Sequence, residues 1–205
     1  MTILQLITKT KTLVASSTIT AATNASPIAV TTSAAHGLET GDIVVIAGAV
    51  GNTAANGQFT VTVVDATHYT LNGSSGNGAW TSGGTATHVG FSLPSFTTDN
   101  TVFPQNSDFT VKTRIAALSA NTGVTFHYSD SSDSGATFRP GPFYSRYGYL
   151  NKTNDALMSW KREDWPQAKL GNPGDCLRLN VYLEGQYGAM ATVGSSVSFQ
   201  AWVEF

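Results

Sequence analysis

The chain has 205 residues and a mass of 21.5 kDa, enough for a substantial core: a native surface of about 9,000 Å² against about 31,000 Å² unfolded leaves roughly 70% hidden. Six lysines and five arginines against nine aspartates and four glutamates give a net charge of -2, which argues against the concentrated positive footprint of a specific nucleic-acid binder. Only 12% of residues are charged, about half the usual share, so Thr, Ser, Asn and Gly carry the solubility, as suits a surface covered in part by partners.

Residues 1–100 hold six of the 24 charged side chains and residues 101–205 the other eighteen, which predicts two modules. Thr, Val, Tyr and Phe recur in short runs separated by Gly, Asn and Asp, the pattern of an all-β fold. Residues 1–27 contain ILQLI at 3–7 and TLVASSTIT at 12–20, followed by the small polar run AATNASP. With few anchoring side chains, this stretch reads as an extended N-terminal arm: a strand lent to a neighbour, or an edge strand.

Residues 28–89 form the clearest unit. Strands are predicted at IAVTT (28–32), IVVIA (43–47), QFTVTVV (58–64), HYTL (68–71) and 85–89. The turns between them carry His36-Gly37-Leu38, Gly41-Asp42, Asn56-Gly57, Asp65-Ala66-Thr67 and Gly83-Gly84. Phe59, Val61 and Val63 alternate onto one face. Five short strands in about sixty residues are too few for an ordinary sandwich, and a small curled β-barrel is the economical solution.

The run at 29–87, through His36-Gly37-Leu38, Gly41-Asp42, Asn56-Gly57, Val64-Asp65, Thr70-Leu71 and Gly83-Gly84, resembles a small β-domain, related to one in ubiquitin-activating enzymes, that recurs in structural proteins of tailed bacteriophages. The resemblance covers a little over a quarter of the chain. Its features are turn residues and strand faces, so it implies a virion scaffold module and brings no catalytic residue with it.

Residues 90–107 read as a linker containing Pro94 and Pro104, and residues 108–205 as an antiparallel β-sandwich of jelly-roll or immunoglobulin-like type. FTVKTRIAAL at 109–118 places Phe109, Val111, Thr113 and Ile115 on one side, and a turn at Asn121-Thr122-Gly123 predicts a hairpin with VTFHYS at 124–129. DSSDSG at 130–135 reads as a polar tip, and DALMSWKREDW at 155–165 as a short helix. CLRLNVYLEG at 176–185 and SVSFQAWVEF at 196–205 alternate cleanly, and the apolar Phe205 predicts a C-terminus pinned in a sheet.

Residues that could carry chemistry are few. None of the four histidines has the i,i+4 spacing of a zinc helix, and His36 reads as the support of the turn before Leu38 in preference to a general base. Asp130 and Asp133 lack calcium-loop spacing, although a cation there stays open beside the solvated tip. GSSGNG at 73–78 lacks the lysine and helix of a phosphate loop and reads as a flexible hairpin, and no G-x-S-x-G elbow occurs. KREDW at 161–165 suits ion pairing across a boundary or a solvated face. Cys176 can form no internal disulfide and reads as buried packing. The three N-x-S/T patterns at Asn24, Asn72 and Asn151 read as chance matches. No metal, cofactor or catalytic constellation is expected.

The strongest surface candidate is the interleaving of Arg139, Phe143, Tyr144, Arg146, Tyr147 and Tyr149, together with Phe138. Arginine with aromatics is the composition of protein interfaces; packing into the core, and stacking on sugars or bases, are the other readings. No run reaches the roughly 18 apolar residues of a membrane helix, and Lys9 and Lys11 interrupt any signal-like segment. The expectation is a non-enzymatic structural protein of a phage virion, made in the bacterial host cytoplasm. Its expected place is as a capsid decoration and stabilising protein that bridges major capsid subunits. It would act as a homo-oligomer, with a trimer a natural arrangement, and without specific nucleic-acid or membrane contact. A tail, neck or fibre component, and a carbohydrate-binding adhesin using Trp80 or the 138–149 aromatics, are the alternatives.

Overall fold

The computed structural model describes residues 3–97, 109–119, 122–133, 139–140, 147–148, 156–161, 175–185 and 191–204. In chain order the strands are β1 (Ile3–Thr12), β2 (Ser17–Ala22), β3 (Ile28–Thr32), β4 (Asp42–Ala47), β5 (Gly57–Val63), β6 (His68–Leu71), β7 (Thr85–Ser92) and β8 (Phe96–Thr97). They continue with β9 (Thr110–Leu118), β10 (Thr122–Ser131), β11 (Arg139–Pro140), β12 (Tyr147–Gly148), β13 (Ala156–Lys161), β14 (Cys176–Gly185) and β15 (Ser196–Glu204). One 3-10 turn, Thr53–Ala55, interrupts them, and among the described residues there is no α-helix. The chain divides into a unit formed by Leu13–Ser92 with Thr192–Gly194, and a unit formed by Met1–Thr12, Leu93–Ala191 and Ser195–Phe205.

The first of these is a closed antiparallel barrel of six strands in the order β2-β3-β6-β5-β4-β7, with β7 pairing back to β2. Closure removes the unpaired edges that an open sheet of such short strands would present. The predicted strands over 28–89 supply five of the six. The sixth comes from the stretch expected to be an arm: Ser17↔Ala86 and Thr18↔Thr85 join β2 to β7, while Ile19↔Thr32 and Ala22↔Val30 join it to β3. β2 packs closely on the turn before β7: the Ile19 N–H donates to the Gly84 carbonyl at 3.0 Å, and a Cβ on Gly84 would stand 3.2 Å from two carbons of the Ile19 side chain. Ile28, Val30, Val44, Ile46, Val61, Tyr69 and Leu71 fill the interior with almost no exposure. Phe59 and Val63 flank Val61 on its own strand, as the alternation predicts.

The other unit contains two antiparallel arrays. In one, the order is β1-β15-β9-β13; in the other, β10 pairs β14 on one side and the short β11 and β12 on the other, while β8 pairs β14. Val197, Phe199, Ala201 and Val203 of β15 are all buried, as are Phe109, Val111, Thr113 and Ile115. The predicted hairpin of 109–118 with 124–129 does not form. β9 pairs β13 and β15, whereas β10 pairs β14, so the short link between them carries the chain from one array to the other. Phe126 of β10 meets Phe199 of β15 at 5.8 Å between ring centroids. That aromatic contact uses the apolar faces of β10 and β15, while β9 has both of its edges taken by β13 and β15 and offers none to β10.

Two further expectations are corrected. Residues 156–161 of the predicted helix are strand β13, paired from Ala156↔Ile115 to Lys161↔Thr110; a helix of at most three turns is marginal, and an open sheet edge offers a full ladder instead. Asp130 and Ser131, assigned to a polar tip, lie within β10 and are buried. Residues 3–12 of the expected arm form β1, which pairs with β15 at the end of its array, the edge-strand form of that reading.

Candidate functional site

Each turn that carries the sequence resemblance is held by a side chain. His36 is buried, and its Nδ1 accepts the Leu38 backbone N–H at 2.9 Å. Nε2 therefore carries the proton and donates it to the Asp65 carbonyl at 3.0 Å. The ring stands edge-on to Tyr69 at 5.2 Å, whose phenol is pushed well above its ordinary value by burial. With both nitrogens committed to backbone, the imidazole is a latch between two turns, and no nitrogen is left to exchange a proton with a substrate.

Asp65 ties the next turn. Its Oδ1 accepts the backbone N–H groups of Thr67 and His68 at 2.8 and 2.9 Å, and both carboxylate oxygens lie 2.9 Å from His68 Nδ1. The Thr67 N–H first, and the His68 ring second, lower its pKa to about 2. Asp42, buried at the start of β4, accepts the Glu39 N–H at 2.8 Å and lies 3.6 Å from His88 Nε2. His88 in turn accepts the Val14 N–H on Nδ1 at 3.1 Å and donates from Nε2 to the Gly90 carbonyl at 2.9 Å.

A set of asparagines stitches the loops of the barrel. Asn56 brackets Ala49, accepting its N–H at 2.8 Å and donating to its carbonyl at 2.9 Å. Asn52, fully buried, donates to the Thr23 carbonyl and accepts the Asn77 N–H; Asn77 accepts the Ala54 N–H and donates to Thr53 Oγ1. The loop at 73–78, expected to be a flexible hairpin, is thus tied down, with Gly76 N–H on the Ala25 carbonyl and Gly78 N–H on Asn24 Oδ1. Gly51 sits at φ 85°, and a Cβ there would run into the Ala79 carbonyl, so only glycine admits this approach of the two loops. Trp80 packs against the barrel core and donates its indole N–H to the Gly83 carbonyl at 3.1 Å.

In the second unit, Arg139 and Tyr147 of the predicted interface fall on β11 and β12, in register with Asp130 and Thr125 of β10. They are brought to the same side of that strand, the side away from β14. Phe143, Tyr144, Arg146 and Tyr149 lie outside the described residues, as do Phe138 and the charged run at 162–165. Burial of β10 on both faces was not legible from its residues. Val124, Phe126 and Tyr128 are buried on one, and Thr125, Ser129 and Ser131 on the other. On that second face Asn180 Nδ2 donates to Ser129 Oγ at 2.8 Å, and His127 meets the Tyr182 ring edge-on at 4.9 Å. Burial pushes the His127 pKa down, opposed in part by the nearby Glu184. The available signal was the small size of these polar residues, which hydroxyl and amide pairing lets into an interior. Cys176, the first residue of β14, is buried.

Among the described residues, no group of three His, Cys, Asp or Glu side chains could hold a metal ion, and no helix is long and apolar enough to cross a membrane. No protein-family model and no curated protein matches the chain. What the geometry offers is, in one unit, a closed barrel with tightly held turns and, in the other, a strand to which an arginine and a tyrosine are brought on one side.

Proposed function

We propose that this chain is a structural protein of a tailed-bacteriophage particle, placed on the capsid surface as a decoration protein that bridges major capsid subunits. The observation that carries the reading is the coincidence of the resembling segment 29–87 with strands β3 to β7, joined by turns that His36, Asp65 and Asn56 hold in place. A module whose polar groups are spent on its own turns is suited to keeping its shape under load. The low charge of the chain favours extensive contact with neighbouring proteins, since few charged side chains would need desolvation.

The second unit is read as a β-sandwich, its two arrays bridged by the Phe126–Phe199 contact. In the assembled particle it supplies the binding edge, to which Arg139 and Tyr147 contribute. Copies associate with one another, a trimer at a local three-fold axis being the arrangement that closes. Assembly takes place in the host cytoplasm. For the adhesin reading, the packing of Trp80 on the barrel core leaves less of its ring for a sugar.

The test is a reconstruction of native particles combined with deletion of the gene. Hundreds of copies on the shell, and loss of the packaged genome at lower temperature or on osmotic shock in the deletion particle, are the expected results. A few copies at the tail would move the protein to the neck or fibre, and absence from particles of unchanged stability would overturn the proposal.

A further inference from the structure

We propose that β1 is an exchangeable strand: in the assembled form, Ile3–Thr12 of one copy pairs with β15 of a neighbouring copy in the register it otherwise makes with its own. The inference rests on the part of the proposed function that makes the chain a homo-oligomer, and not on the kind of particle it joins. Three observations carry it. First, β1 lies at the end of its array, with β15 as its strand neighbour among the described residues. Second, its backbone ladder to β15 is long, with nine residue pairs from Ile3↔Glu204 to Thr12↔Ser196 and one irregularity between Gln5 and Ile7, and among its described side chains Gln5, Thr8, Lys9, Thr10 and Thr12 are exposed, Leu6 is half-buried and Lys11 is buried. β15, by contrast, buries every second side chain from Val197 to Val203.

Third, the chain changes units between Thr12 and Leu13, and residues 13–16 form no regular element. This hinge is held by the Gly194 N–H on the Leu13 carbonyl at 2.9 Å and by the Val14 N–H on His88. A strand that leaves its own sheet exposes the β15 edge, and the segment known to fit that edge is β1 itself. A second copy presents the identical sequence, so every ladder bond, the Thr10–Ser198 hydroxyl contact at 2.9 Å and the Gln5 amide bond to the Ala201 carbonyl re-form between chains. The exchange is then nearly neutral in contacts and is driven by concentration, which assembly on a common surface supplies. Exchange also covers, in each copy, an edge that would otherwise invite unspecific pairing.

The experiment uses two double-cysteine variants of the full chain, T10C/S198C and T8C/Q200C, whose positions pair across the ladder. Each is compared with its single-cysteine parents and with the unsubstituted chain, whose Cys176 is buried. Light scattering gives the oligomeric state, circular dichroism checks folding, and non-reducing gels after mild oxidation of the oligomer read the links. Mixing isotopically light and heavy chains before assembly then identifies, by mass spectrometry, cross-linked peptides with one strand of each kind. The expected result is an oligomer in which most chains run at twice the monomer mass or higher, with mixed-isotope links between the two introduced thiols. An oligomer giving only intrachain links, or folded variants giving no such link, overturns the exchange and leaves the particle reading standing. A chain that stays monomeric at every concentration overturns the exchange and the oligomer together.

Discussion

The barrel and the second unit solve the same problem, burying one face of short strands, by opposite routes. In the barrel five of six strands follow one another within 28–92, and closure leaves every strand with two neighbours. In the second unit β1 pairs with β15 across almost the whole chain, and β9 with β10 adjacent in sequence share no ladder. Local pairing makes the barrel a self-contained shape, whereas distant pairing leaves the second unit with ends, β1 and β13 among them, at which contacts can be added. The polar groups differ accordingly. Those of the barrel are used to hold turns, and those of β10 and β14 lie within a sheet buried on both faces.

The sharpest way to break this comparison is to open a core on one side only. Phe199→Ala removes a ring that is 1% exposed and touches Phe126, which is expected to destabilise the second unit by about 3–5 kcal/mol; Leu71→Ala in the barrel is expected to cost about 2–5 kcal/mol. Hydrogen exchange read peptide by peptide should show lost protection in β9, β10, β14 and β15 for the first variant and in β3 to β7 for the second. If either variant loosens both sets equally, the two units are one cooperative body and the contrast fails.

A smaller effect isolates the latch. His36→Ala strands the buried Leu38 N–H and the Asp65 carbonyl, for an expected loss of about 1–3 kcal/mol in chemical denaturation. His36→Asn should recover part of it, because the amide oxygen can accept the Leu38 N–H two residues on. Equal losses for the two variants would mean that the ring's packing on Tyr69, and not its hydrogen bonding, holds the turn. Asn56→Ala comes next, at about 1–2 kcal/mol, since it removes two bonds to Ala49 at a partly exposed site.

The same contrast decides what could be read before the fold was known. HYTL and CLRLNVYLEG are strands at their predicted bounds, His68–Leu71 and Cys176–Gly185, because alternation and turn residues are local signals. The role of His36 at the turn before Leu38 was legible for the same reason, one of its partners being two residues away. β2 was not, because its place is set by Gly84 and Ala86, more than sixty positions downstream. β13 was misread because Leu157 and Trp160 happen to have helical spacing, while the edge of β9 that recruits the segment lies over forty residues upstream. The asparagine stitching was invisible for a related reason: Asn52 reaches Thr23 and Asn77, 29 and 25 positions distant, and an asparagine in a Gly-rich loop looks like any turn residue.

The smallest expected effect separates the units by acid. Asp65 in the barrel has its pKa lowered from 3.8 to about 2, by the Thr67 N–H first and then by His68. Glu204 in the second unit is lowered by its contact with Lys112 at 2.7 Å and then by the Trp202 indole N–H. In both, the folded value lies below the unfolded one. The ionised carboxylate therefore stabilises the fold above its unfolded pKa, and that contribution fades as pH falls through the folded value, for Asp65 between about pH 4 and pH 2. Asp65 faces solvent and Glu204 is half-buried against Lys112, so the effect is screened and modest. Asp65→Asn keeps an acceptor for the Thr67 N–H but no longer titrates, and should flatten the acid dependence of protection in β5 and β6 while leaving β9 and β15 unchanged. Glu204→Gln should do the reverse. Urea midpoints and hydrogen exchange followed downward from about pH 5 give the slopes, and slopes identical to the parent protein in both variants would remove these two carboxylates from the account of acid unfolding.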